Sequence, residues 1–271
     1  MEPVLRKRHF LEIEFNGSGY HGWQIQKNAM TVQEVLNNCI GLLLQTPVNC
    51  MGCGRTDARV HARRFFLHFD YDGEQSLGPL FVERLNKVTP RDIYVRKIYR
   101  LKEKGHARFS AIQRTYHYHI TLEKDPFLVN LATFYYGELD VDAMNEAAHY
   151  ILGEHDFTTF AKSGSGGANS TSDCIVYEAH WKRIRNRLVF KVTANRFLRR
   201  MVRMLVGTFV QVGTGKMKPE DIRSVMEKKD NQYSGMAVPP DGLYLTDVAY
   251  PEGMLKEITE EPQAQNQPKN V

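Results

Sequence analysis

The run from Gly52 to Arg64 reads GCGRTDARVHARR, and it limits the fold more than any other part of the chain. It holds four arginines (Arg55, Arg59, Arg63 and Arg64) and a single carboxylate, Asp57. So much glycine and charge rules out an ordinary core strand. A partly apolar alternating run, Val48 to Cys53, leads into it, and Phe65-Phe66-Leu67-His68-Phe69 leads out. The spacing predicts a loop between two strands, where a rigid scaffold presents Asp57. Guanidinium groups close by favour the ionised form of a carboxylate. The same cluster also reads as a solvated salt-bridge face, and charge pattern alone does not separate the two.

The elements around this loop follow from periodicity. His9 to Phe15 alternates as a strand. Asn16 to Gln26 carries three glycines that break any regular element, with Tyr20 and Trp23 among them. Those aromatics could contact a nucleotide or pin the loop to the core. Thr31-Val32-Gln33-Glu34 is a capping box, and Val32, Val35, Leu36, Cys39, Ile40 and Leu43 fall on one helical face. Pro47 marks the end of that helix. A helix over Leu80–Val88 and a strand over Ile93–Ile98 complete a β-α-β-loop-β-α-β order, ferredoxin-like in its sequence of elements.

Gly105 to Gln113 is a basic, irregular joint, and Arg114 to Thr121 alternates as a strand. A helix over Val141–Leu152, strands near Cys174–Trp181 and Leu188–Ala194, and a short helix opening at Lys218-Pro219-Glu220-Asp221 follow. Ser163 to Ser172 is rich in Gly and Ser and reads as a loop. In Asn195–Gly207, Arg196, Arg199, Arg200 and Arg203 stand at i, i+3, i+4 and i+7, which predicts one helical face bearing all four. Such crowding is stable beside an anion such as RNA phosphate or a buried carboxylate, or as a solvated basic face.

Composition sets the outer bounds. The chain has 271 residues, 42% hydrophobic and 25% charged, as in globular proteins, with room for one large domain or two ordinary ones. Its net charge is +5; residues 252–271 carry −2 of it, leaving +7 on the rest, which suits a polyanionic partner. Cys50 and Cys53 form a C-x-x-C, but Cys39 and Cys174 stand far from it and from each other. Without a second pair the motif reads as two packed thiols, so no metal site is expected. The basic Met1–His9 segment precedes only a short apolar run broken by acids, and no run approaches membrane-spanning length. The expectation is a cytoplasmic protein with reduced thiols and no membrane segment.

Five segments together point to a family. Gly54-Arg55-Thr56-Asp57-Ala58-Arg59-Val60-His61-Ala62 resembles the GRTDAGVHA signature of the TruA family of tRNA pseudouridine synthases, with Arg59 in place of its second Gly. Asn16 to Gln26 is similar to the family's DGxxYxGWQxQ motif, with Asn16 in place of Asp. His106 to Ala111 followed by Arg114 to Tyr118 resembles ARFSAxxRTYxY, and Phe197 to Gly207 resembles the FLxxMVRxxVG helix. A closing run, Met236 to Leu245, resembles APxxGLYL.

The resemblance implies two ferredoxin-like α+β halves, with antiparallel sheets meeting at a central catalytic cleft. The domains would be 1–104 and 105–251, with 252–271 a polar, disordered tail. It implies isomerisation of uridine to pseudouridine at positions 38–40 of the anticodon arm of tRNA, by a homodimer, without a cofactor. Asp57 takes the nucleophile's position, Arg203 that of its partner, and Tyr116 that of the ring against the target base. Leu245 would line the pocket, and Arg55, Arg59, Arg199 and Arg200 would contact the RNA. Arg59 leaves an alternative open: an RNA-binding paralogue with reduced activity or a different uridine target. A Gly at that place permits positive φ or close approach of RNA, whereas Arg brings a Cβ and a long charged side chain.

Overall fold

The computed structural model describes residues 7–101, 105–162 and 171–260. The first half contains β1 (Lys7–Phe15), α1 (Val32–Leu44), β2 (Met51–Gly52), β3 (His61–Tyr71), α2 (Pro79–Val88) and β4 (Ile93–Leu101). The second contains β5 (Gln113–Thr121), β6 (Thr133–Phe134), α3 (Val141–His149), β7 (Gly153–Asp156), β8 (Asp173–Ile184) and β9 (Arg187–Ala194). It continues with α4 (Met201–Gly213), α5 (Asp221–Glu227), β10 (Leu243–Ala249) and β11 (Leu255–Glu257).

Helix α1 begins where the capping box places it: Thr31 accepts a hydrogen bond from the Glu34 amide at 3.4 Å, and Gln45 closes the helix in the left-handed region. Its buried face is Val32, Leu36, Ile40 and Leu44, packed on β1 and β3 in an N-terminal core with Phe10, Phe65, Phe69 and Leu85. A separate C-terminal core gathers Trp181, Phe190, Leu205 and Phe209 between β5, β8, β9, α3 and α4.

The strands form one continuous sheet in the order β11-β4-β1-β3-β10-β5-β9-β8-β7, with β2 added on β3 and β6 on β5. The strands of the two halves therefore meet edge to edge in one mixed sheet. Strand β10, late in sequence, inserts between β3 and β5, parallel to the first and antiparallel to the second. This seam satisfies the backbone groups that two open sheet edges would leave unpaired. It also aligns Ala62, Leu245, Tyr116 and Val192 in one row across four strands.

Two local expectations change. The arginine-rich segment is not one helix: α4 starts only at Met201, and Arg200 sits at φ 66° as its N-cap. Asn195 holds the preceding turn out of helix, because its Oδ1 accepts from the amides of Ile175 and Arg196 at 2.9 and 2.7 Å. The closing residues are not uniformly disordered either. Leu255–Glu257 pairs with β4, and Met254, Leu255 and Ile258 pack on the N-terminal core, covering an edge that would otherwise be bare. The Gly/Ser loop of 163–172 lies almost wholly outside the described residues, as does the chain beyond 260. His155 bonds the Leu152 carbonyl at 2.8 Å, a structural contact at the start of edge strand β7.

Candidate active site

Asp57 lies on the loop between β2 and β3, directly before the strand on which β10 pairs. The loop is held by main-chain bonds on each side: Cys53 N donates to Phe66 O at 2.7 Å, Trp23 N to Thr56 O at 3.3 Å and Arg59 N to Tyr20 O at 3.1 Å. The glycine-rich 16–26 segment makes this possible. A Cβ on Gly22 (φ 88°) would stand 2.3 Å from Thr56 O, and one on Gly17 would stand 2.0 Å from Val60 O. Trp23 is buried against Phe65, with ring centroids 4.4 Å apart, so it pins this loop to the core.

The carboxylate meets charge from α4, not from its own loop. Arg203 Nη1 donates to Asp57 Oδ2 at 3.0 Å, and its Nε donates to Val238 O at 2.7 Å. The Arg199 Nε lies 3.9 Å from Oδ1, on a side chain more than half exposed. Among the described residues none of the four loop arginines forms an ion pair with Asp57. Arg64 bridges Glu12 and Asp247 at 3.1 and 2.9 Å. Arg59, in the left-handed region at φ 67°, pairs with Asp241 at 2.6 Å and also donates to Asn130 Oδ1. The charge run therefore resolves into separate pairs, each set by what the fold brings opposite.

Tyr116 and Leu245 are neighbours in register on β5 and β10. Tyr116 packs edge-on to Phe197, with centroids 5.0 Å apart and planes at 84°. Burial pushes its phenol well above the usual range, and the Asp57 carboxylate acts in the same direction. Leu245 is buried. Arg55 stands away from this row, in a groove of about 330 Å³ lined also by Trp23, Met51, His106, Arg108 and Phe109. Arg200 is more distant in kind: it lines a second groove of about 300 Å³ with Lys162, Met204 and Met236.

Sequence reasoning left two contributors unassigned. Arg114 donates to four main-chain carbonyls, those of Ala111 and Asn195 at 3.1 Å, Cys53 at 3.1 Å and Arg108 at 2.7 Å. It thereby ties the base of the Asp57 loop to the 105–111 joint and to the turn before α4. The signal was present, since Arg114 lies in the motif with Tyr116, but two of its carbonyl partners, Cys53 and Asn195, lie 61 and 81 positions away. The second is an arginine group: burial, then the charges of Arg55, Arg114 and Arg196, push the Arg108 guanidinium below its usual range. Four arginines gathered this closely form a ready seat for phosphate.

Cys50 and Cys53 are free and buried, and burial pushes the Cys53 thiol up to about 12. Among the described residues no group of three or more His, Cys, Asp or Glu is placed to hold a metal ion, and no helix is long and apolar enough to cross a membrane.

A carboxylate paired to a largely buried arginine, with a tyrosine in a row across the mixed sheet seam and arginines lining a groove beside the same loop, suits an enzyme whose substrate is anionic. A family model described as tRNA pseudouridine synthase matches residues 147–251, the segment that holds Arg203 and Leu245. The chain is 42% identical over 251 residues to tRNA pseudouridine synthase A of Parabacteroides distasonis, covering 92% of this chain and 98% of that one. The Porphyromonas gingivalis protein of that name is 41% identical, covering 92% and 99%. The one from Aliivibrio salmonicida is 36% identical over 244 residues, covering 89% and 91%. The chain belongs to the tRNA pseudouridine synthase A family.

Proposed function

We propose that the protein isomerises uridine to pseudouridine in the anticodon arm of tRNA, with Asp57 as nucleophile. The observation that carries this reading is the 3.0 Å bond from Arg203 to Asp57, made between segments 146 residues apart. The N1 glycosidic bond breaks, the base turns, and a new bond forms from C5 to the same sugar carbon. The C5 proton leaves and N1 regains one, so atoms and electrons balance without a redox partner. The target base first leaves its stack at a cost of about a few kcal/mol, offset by contacts to the protein. Asp57 attacks the sugar or the base, oriented by Arg203. Tyr116 lies against the extruded base, and its neutral phenol suits proton transfer at C5. Leu245 packs on the ring. Arg55 and Arg199 hold flanking phosphates.

We take 1–104 and 105–251 as the two α+β domains, because each has its own buried core. The site then lies at their shared seam, and a homodimer is the expected assembly. The test is pseudouridine mapping on an unmodified tRNA transcript, with wild type and Asp57→Ala in parallel. Product at anticodon-arm uridines, reduced by roughly 10⁴-fold or more in the variant, is expected. Tight tRNA binding with no product from either protein would favour the binding paralogue.

A further inference from the structure

Arg59 stands where the family signature has glycine, and its surroundings give it a task. Residues 59–61 reach into the other half of the molecule in three successive ways. The Arg59 guanidinium pairs with the Asp241 carboxylate at 2.6 Å. Val60 is buried within the C-terminal core. His61 accepts from the Gly17 amide through Nδ1 at 3.0 Å, so its Nε2 carries the proton that it donates to Asp241 O at 3.1 Å. Asp241 is thus gripped by side chain and main chain at once.

The same segment holds Arg203 from behind. Its Nε donates to Val238 O at 2.7 Å, and Val238 N donates to Arg203 O at 3.2 Å. Pro239 and Pro240 link Val238 to Asp241 with little backbone freedom. The contacts therefore close a ring: Asp57 to Arg203, Arg203 to Val238, through two prolines to Asp241, then to Arg59 and back to Asp57. Asn130 adds a brace, accepting from Arg59 through Oδ1 and from Ser18 Oγ through its carbonyl.

We propose that Arg59 is a positioning residue, which with Asp241 closes a ring that sets the approach of Asp57 to Arg203. Its Nη2 is committed to Asp241 and Asn130 rather than to a phosphate. The inference rests on Asp57 being the reacting carboxylate. A glycine at this place would release the left-handed backbone strain but break the ring.

The test compares Arg59→Ala, Arg59→Gly, Arg59→Lys, Asp241→Ala and the Arg59→Ala/Asp241→Ala double variant on a tRNA transcript, with Asp57→Asn alongside. Folding is checked by thermal unfolding. Arg59→Ala and Arg59→Gly are expected to lower kcat about tenfold with KM and the salt dependence of tRNA binding unchanged. Arg59→Lys recovers most of the loss, and the double variant is no slower than either single one. A raised KM with a salt slope smaller by about one would make Arg59 a phosphate contact and overturn the proposal. Wild-type or faster turnover in Arg59→Gly would overturn it too. Full activity in Asp57→Asn would remove the underlying reading; an inactive Asp57→Asn with a wild-type Arg59→Ala would remove only the ring.

Discussion

Two groups of arginines flank the Asp57 loop, and they differ in what neutralises them. Arg203 faces a carboxylate at 3.0 Å and is largely buried. Arg55, Arg108, Arg114 and Arg196 sit near one another, and burial, then the charges of the other three, lower the pKa of the Arg108 guanidinium. The first group spends its charge on a fixed anion inside the protein. The second keeps it for an anion from outside. The difference teaches that an arginine's task is read from its partner and its burial, not from its place in a charge run. Arg114 is the intermediate case, a cation whose hydrogen bonds all go to backbone carbonyls.

Arg203→Lys is the sharpest way to break the comparison. A lysine keeps the charge but cannot serve Asp57 and Val238 together from one planar fork. Turnover on a tRNA transcript is expected to fall about 100-fold with tRNA affinity retained, as geometric misplacement alone costs that much. An affinity loss of the same size would erase the distinction between the two groups. Arg114→Met comes next. It strands four carbonyls, so urea unfolding is expected to show a loss of about 1–3 kcal/mol, with turnover reduced through the Cys53 end of the loop.

Arg108→Ala has a smaller effect of the opposite kind: kcat stays, KM rises severalfold, and the slope of log affinity against log salt falls by about one. Binding titrations at several salt concentrations measure it. The smallest effect is set by pH. His68 Nδ1 accepts from the Ala107 amide at 3.0 Å and so holds the joint that carries Arg108. Burial, then the charges of Arg8 and His106, lower its pKa to about 4, against a small opposing effect of Asp70. The unfolded chain binds the proton near its ordinary value, so stability falls as pH drops from about 6.5 towards 4. The thermal midpoint should follow that sign, with a shallower fall in His68→Gln; an unchanged slope would acquit His68.

Much of the local structure was legible. The Thr31 capping box starts α1, and Phe65 to Tyr71 extends as a strand, because caps and period-two patterns act over a few residues. The arginines at 196, 199, 200 and 203 misled, since a four-residue spacing is necessary for a helical face but not sufficient. Asn195 competed for the backbone, and only Arg203 was carried into α4. Residues 255–257 misled in the other direction, because a short polar strand gains its order from the β4 edge it covers.

The sequence alone determined a charged, glycine-bounded loop bearing one acid, and glycines at 17 and 22 that permit close backbone approach. The motifs also carried the family and, with it, the candidate residues. Tertiary structure decided the partners: Arg203 with Asp57, Arg59 with Asp241, Leu245 beside Tyr116. Each joins residues more than 120 positions apart in the chain, through a strand inserted at the seam of one sheet. Local propensity decays within a few residues, whereas electrostatic and hydrogen-bond partners are chosen by distance in space, which only the packed fold supplies.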